Sequence, residues 1–114
     1  MTREIVYLPP FDKNWNKLNL TDKELIELEN MVINNPQIGN VIEGTGGLRK
    51  MRFALPNRGK SGSVRILYVD FVQFEQLYFV NVYAKNEQEN ISDTDKKLYK
   101  QIINETEKIL KGRR

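Results

Sequence analysis

Three runs rich in β-branched and aromatic residues, Leu48 to Leu55, Val64 to Phe71 and Leu77 to Lys85, are separated only by "PNRGKSGS" and "VQFEQ". Such runs favour strands. A parallel crossover needs a dozen residues or more, so links this short make neighbouring strands antiparallel. The rest of the chain must be arranged around this meander. Ahead of it, Glu4 to Tyr7 reads as a short strand, and Phe11, Trp15 and Leu18 follow Pro9-Pro10 at i, i+4, i+7, one face of a first helix. A second helix starts at the capping box Thr21-Asp22-Lys23-Glu24, with Leu20 and Leu25 as a hydrophobic staple and Leu25, Leu28 and Val32 along one side. Asn34-Asn35-Pro36 ends it, and "GNVIEGTGG" (39–47) is a turn-rich connector. Ser92 is the expected N-cap of a third helix, with Asp93 and Asp95 in its first turn. Leu98, Ile102, Ile109 and part of Ile103 form its apolar stripe, and Gly112 marks its end. The order β-α-α-β-β-β-α predicts an α+β fold: a curved antiparallel sheet backed by two N-terminal helices and with a C-terminal helix, the helices gathered on one face. At 114 residues the chain reads as a single domain, 1–114, around one core.

The chain has no cysteine and no histidine. That removes disulfides, thiolate catalysis and the commonest metal ligand and acid–base group, and leaves Lys, Arg, Tyr, Asp and Glu for any chemistry. Neither a metal nor a cofactor is expected. No apolar run approaches the ~18 residues of a membrane span, and no hydrophobic N-terminal segment suggests a signal peptide, so a cytoplasmic protein is expected.

Charge is unevenly distributed. Residues 48 to 68 hold six basic and no acidic side chains, whereas residues 1 to 47 hold four basic and seven acidic ones. A solvated face normally mixes signs; a one-sign block suits a polyanion, with nucleic acid the first candidate. Within the block, Gly59-Lys60-Ser61 imitates the end of a phosphate-binding loop. The first glycine of that motif is replaced by Ala54, and the residues that follow favour a strand where the motif needs a helix. A nucleotide loop is therefore not expected.

Period-two alternation sets Arg49, Met51 and Phe53 on one face and Lys50 and Arg52 on the other. The next strand is apolar on both sides, which leaves the side of Arg65 open. If Arg65 shares the face of Lys50 and Arg52, cations stand opposite one another across neighbouring strands, an arrangement that costs stability. Nothing in the pattern pairs Asp70 with Glu75.

"GTGGLRKMRFA" (44–54), "GKSGSVRILYV" (59–69) and "FVNVYAKNEQENIS" (79–92), in this order and spacing, resemble the HigB-type branch of the RelE/ParE toxin superfamily. The resemblance implies the RelE-like fold and a toxin of a type II toxin–antitoxin system, a metal-independent endoribonuclease. Such a toxin enters the A site of the 70S ribosome, cleaves the mRNA held there and inhibits translation. It also implies a cognate antitoxin with a helix-turn-helix that binds DNA. Lys50 and Arg52 match the two cations of the first catalytic strand, Arg65 matches the arginine on the scissile phosphate, and Lys85 with Asn86 occupies the basic pair after the last strand. RelE-type relatives usually carry Lys-Arg there and a catalytic tyrosine where Ile91-Ser92 stand, whereas the HigB-type branch shares "KNE". Two alternatives remain: a ParE-like gyrase poison of the same fold, and a non-catalytic RNA-binding module.

The chemistry itself asks for cations. RNA is cut when its 2′-hydroxyl is deprotonated and attacks the adjacent phosphorus, and a protein assists by fixing the in-line geometry and stabilising the phosphorane. Arg65 is the candidate fork for two phosphate oxygens and Arg52 the second clamp; Lys50 can act as base or acid only if neighbouring cations depress its pKa, so the general acid and base stay unassigned. Tyr83 is a candidate proton donor or stacking platform. Arg49, Arg58, Lys60 and Tyr68 complete the expected RNA-binding set.

Overall fold

The computed structural model describes residues 2–55, 62–85 and 91–113. Strand β1 (Glu4–Tyr7) leads into helix α1 (Pro9–Lys17), then α2 (Asp22–Asn34), a two-residue strand β2 (Asn40–Val41), β3 (Arg49–Ala54), β4 (Ser63–Phe71), a 3-10 turn over Val72–Phe74, β5 (Gln76–Ala84) and α3 (Asp93–Gly112). The strands form one sheet in the order β1-β5-β4-β3-β2. β3, β4 and β5 make the expected antiparallel meander. The backbone of Leu55 donates to the Gly62 carbonyl at 2.6 Å and so closes the first hairpin. Two features go beyond the sequence reading: β1 runs parallel to β5, which makes the sheet mixed, and part of the glycine-rich connector forms β2 against β3.

The helix starts behave as their sequences ask. Thr21 and Glu24 form both halves of the capping box, and the Ser92 side chain accepts from the Asp95 amide at 3.1 Å. Gly112 is the last helical residue, and Arg113, in the right-handed region, is the C-cap, so no left-handed glycine cap ends α3.

The two sides of the sheet carry separate cores. Phe11 and Trp15 of α1 and Leu28 and Val32 of α2 pack on Met51, Phe53, Val64, Ile66, Tyr68, Leu77, Phe79 and Val82. Phe11 stacks between Trp15 and Phe79 at ring separations of 5.4 and 5.1 Å. On the other side, Ile103 and Leu110 of α3 share a cluster with Leu48, Leu67, Val69, Phe71, Val80 and Tyr83. The helices are therefore not gathered on one face: α1 and α2 cover one and α3 lies over the other. The expected stripe on α3 also shifts by one position. Ile103 and Leu110 are buried and Tyr99 partly so, whereas Leu98, Ile102 and Ile109 are exposed. Ile103 sets the inward register because the second core, absent from the sequence reading, lies beneath it.

One irregularity decides which side chains meet. Leu67 opposes Asn81, but Tyr68 opposes Phe79, so β5 carries one extra residue, Val80. Such a bulge reverses the alternation beyond it. Leu77 and Phe79 lie in the α1/α2 core, yet Tyr83, an even number of residues on, lies in the α3 cluster. Asn81, within the bulge, accepts from Asn14 Nδ2 of α1 at 2.7 Å. At the far end of β4, Asp70 is tied to Arg3 by a two-pronged ion pair, Nε to Oδ1 at 2.7 Å and Nη2 to Oδ2 at 3.3 Å, with both side chains nearly buried. The Asp70 hydrogen bond holds the Arg3 guanidinium above its ordinary pKa against the opposing effect of burial. Asp70 thus anchors the N-terminus and does not pair with Glu75.

Candidate RNA-binding and catalytic face

β4 occupies the middle of the sheet, and its two positions that are not fully buried are Arg65 and Asp70. The ladder puts Arg65 directly opposite Arg52 on β3 and opposite Tyr83 on β5. Cross-strand partners share a face and stand about 5 Å apart at Cβ. The side of Arg65, open in the sequence, is therefore that of Arg52, away from α1 and α2, where Met51, Ile66 and Val82 form the neighbouring inward row. Lys50 lies on the same face two residues from Arg52. Lys85 immediately follows β5, so Arg52 and Arg65 are the cations that the ladder sets on adjacent strands. Arg52 and Lys85 are exposed, and Lys50 and Arg65 are half-buried.

Burial divides this row. Among the described residues Arg65 Nη1 is enclosed without a hydrogen-bond partner, and so is the Tyr83 hydroxyl. Tyr83 is 6% exposed. Burial pushes its phenol above the ordinary pKa, the Arg65 charge pulls it back, and Tyr99 adds to the rise. The enclosed ring offers no face on which a base could stack, which removes that half of the expectation for Tyr83.

Two expected RNA-binding residues belong elsewhere. Tyr68 is fully buried on the α1/α2 side; its hydroxyl donates to the Pro36 carbonyl at 2.8 Å and accepts from the Gly39 amide at 2.9 Å. With its ring enclosed and its hydroxyl engaged, it has nothing to offer RNA. Burial raises its pKa, partly countered by the Gly39 hydrogen bond. Arg49 is the partner of Tyr68 in the ladder, and its Nη1 donates to the Gly39 carbonyl at 2.7 Å. It helps to latch the connector and stands outside the cationic row. Alternation in β3 had already separated it from Lys50 and Arg52. Arg58, Lys60 and Asn86 lie outside the described residues. The element after the Gly59-Lys60-Ser61 stretch is a strand, as a nucleotide loop would not have it.

Ile91 and Ser92 supply no acid or base here: Ile91 is buried in the α3 cluster and Ser92 caps α3. No described helix is long and apolar enough to cross a membrane.

The sequence model for the RelE toxin of the RelE/RelB toxin–antitoxin system matches residues 5–112. Among solved structures, a free, doubly substituted form of the E. coli toxin RelE is similar to this chain with a TM-score of 0.56 and 18% identity, covering 78% of this chain and 90% of that one. At that identity the likeness speaks for the fold. The match is to the RelE family as a whole, and the HigB-type placing rests on the sequence resemblance alone.

Proposed function

The chain belongs to the RelE toxin family of toxin–antitoxin systems, and from that premise we propose that it is a cytoplasmic, ribosome-dependent endoribonuclease that cleaves mRNA in the A site. The observation that carries this reading is the register that sets Arg52 opposite Arg65 on one face. Like charges opposed in a sheet are destabilising, and a phosphate between them turns repulsion into a pair of charge-assisted hydrogen bonds.

In this reading Arg65 holds the scissile phosphate from the centre of the sheet and Arg52 clamps it from β3. Lys50 and Lys85 supply positive charge at the two ends of the row, and Asn86 follows Lys85 in the chain. The 2′-oxygen attacks phosphorus, the bond to the 5′-oxygen breaks, and the products are a 2′,3′-cyclic phosphate and a 5′-hydroxyl. The cations stabilise the charge that grows on the non-bridging oxygens. A cognate antitoxin restrains the toxin. A gyrase poison would not need these cations side by side, and no observation on this face favours it.

The test is cleavage of mRNA on translating ribosomes by the wild-type chain and by Arg65→Ala. The wild type is expected to give fragments only when ribosomes are present, and Arg65→Ala to lower the rate by about 10²–10³-fold. Near wild-type cleavage by Arg65→Ala removes the phosphate clamp, and intact mRNA with the wild type removes the ribonuclease reading.

A further inference from the structure

Arg65 Nη1 and the Tyr83 hydroxyl are two enclosed hydrogen-bond donors on residues that oppose each other in the β4–β5 ladder. Neither is bonded to the other. An arginine N–H can only donate, and a buried donor left without an acceptor is costly. Two such donors side by side call for one group that accepts from both, and the arginine charge favours an anion with several oxygens. We propose, on the basis of the ribonuclease reading above, that Tyr83 is a further catalytic residue whose hydroxyl donates to a non-bridging oxygen of the scissile phosphate beside Arg65.

The form of the site supports a donor and no other role. Tyr83 is too enclosed to stack on a base, and burial holds its proton on. In the reaction Tyr83 neither gains nor loses that proton: the 2′-hydroxyl gives its proton to solvent or a base, the 5′-oxygen takes one up as it leaves, and Tyr83 only shortens its hydrogen bond as charge grows on the phosphorane. Ile91, just ahead of α3, and Tyr99, in its second turn, belong to the cluster that includes Tyr83. Meeting the phosphate requires the side chains around the hydroxyl to part, and the phosphate's attraction to Arg65 drives that. The bulge at Val80 gives the placement its meaning, because without the extra residue Tyr83 would point toward α1 and α2.

Tyr83 could instead be a packing residue, in which case phenylalanine would serve as well. The experiment is single-turnover cleavage on programmed ribosomes at saturating protein, comparing the wild type with Tyr83→Phe. The variant should fold, melt no lower than the wild type, keep its half-saturating concentration, and cleave about 10²-fold more slowly. The same assay is run with sulfur replacing each non-bridging oxygen of the scissile phosphate in turn. Sulfur accepts hydrogen bonds poorly, so one diastereomer should slow the wild type and slow Tyr83→Phe no further. Cleavage by Tyr83→Phe within twofold of wild type, equal sulfur effects in both proteins, or loss of fold in the variant each overturns the assignment. A wild-type chain that leaves mRNA intact sinks the ribonuclease reading and this proposal with it, whereas an active wild type with an equally active Tyr83→Phe sinks only the proposal.

Discussion

Tyr68 and Tyr83 stand on neighbouring strands, both buried, and differ in what surrounds their hydroxyls. Tyr68 reaches the α1/α2 side and closes on the connector: one hydrogen bond to Pro36, one from Gly39. The fit is tight enough that a Cβ on Gly39 would lie 2.8 Å from Tyr68 Cε1 and 3.1 Å from the Lys50 carbonyl, so glycine is required there by close approach. Tyr83 reaches the α3 side, and its hydroxyl has no hydrogen-bond partner among the described residues. Burial alone therefore does not separate a structural tyrosine from a functional one; the location of the hydroxyl's partners does. Tyr68 finds its partners within its own chain, whereas Tyr83 shares with Arg65 a need that the described residues do not meet. The other orphaned aromatic donors among the described residues, the Tyr7 hydroxyl and Trp15 Nε1, sit in the aromatic stack on the opposite face from the arginine row.

The sharpest way to break this comparison is Tyr68→Phe. It strips a partner from the Pro36 carbonyl and from the Gly39 amide, and should cost about 1–3 kcal/mol in urea unfolding, with cleavage per folded molecule unchanged. Tyr83→Phe has the opposite signature, loss of activity without loss of stability. If Tyr68→Phe is neutral for stability, or if it lowers the intrinsic cleavage rate, the division of roles between the two faces fails.

This division was only partly legible in the sequence. The meander could be read because short links leave adjacent strands no other way to pair, and the capping box because its side chains bond only to their own turn. Lys50 and Arg52 could be placed on one face by alternation along a single strand. Arg65 could not, since β4 is central and apolar on both sides, so no pattern marks inside from outside. Nothing near Tyr68 in the sequence separates a packing aromatic from an RNA-binding one, because its partners, Pro36 and Gly39, are some thirty residues away and contribute only backbone. Tyr83 depended on the bulge at Val80. One residue inserted into one strand reverses every side chain after it, and "FVNVY" carries no glycine or proline to announce it. The stripe on α3 failed for a related reason. Leu98, Ile102 and Ile109 are spaced as well as Tyr99, Ile103 and Leu110, and only the shape of the sheet beneath chooses between them.

A smaller effect sharpens the comparison from the cationic side. Arg52→Ala removes one of two opposed like charges and should raise stability by about 0.2–1 kcal/mol, most clearly at low ionic strength, while it slows cleavage. A stability gain coupled to an activity loss identifies a pair kept together for a ligand. Equal or lower stability would mean that Arg52 is held in place by contacts of its own, and the opposition to Arg65 would lose its meaning.

The smallest expected effect concerns which face gives the protein its dependence on pH. Glu29, on α2, has its carboxyl pushed above the ordinary value of 4.5 by burial. A carboxyl whose folded pKa is raised adds stability below its unfolded pKa, and that contribution is lost as pH rises through the folded value. From just below 4.5 to somewhat above it, Glu29 should make the wild type lose a little stability relative to Glu29→Gln, whose side chain carries no charge at either end. Urea midpoints of the two proteins across that window should converge at the acid end and separate toward neutral pH, with the variant the more stable there. Arg52→Ala, on the other face, should shift all midpoints together and leave their slope with pH unchanged. If instead Arg52→Ala alters the slope and Glu29→Gln does not, the titrating side of the molecule is the cationic face, and the α1/α2 side is only its packed support.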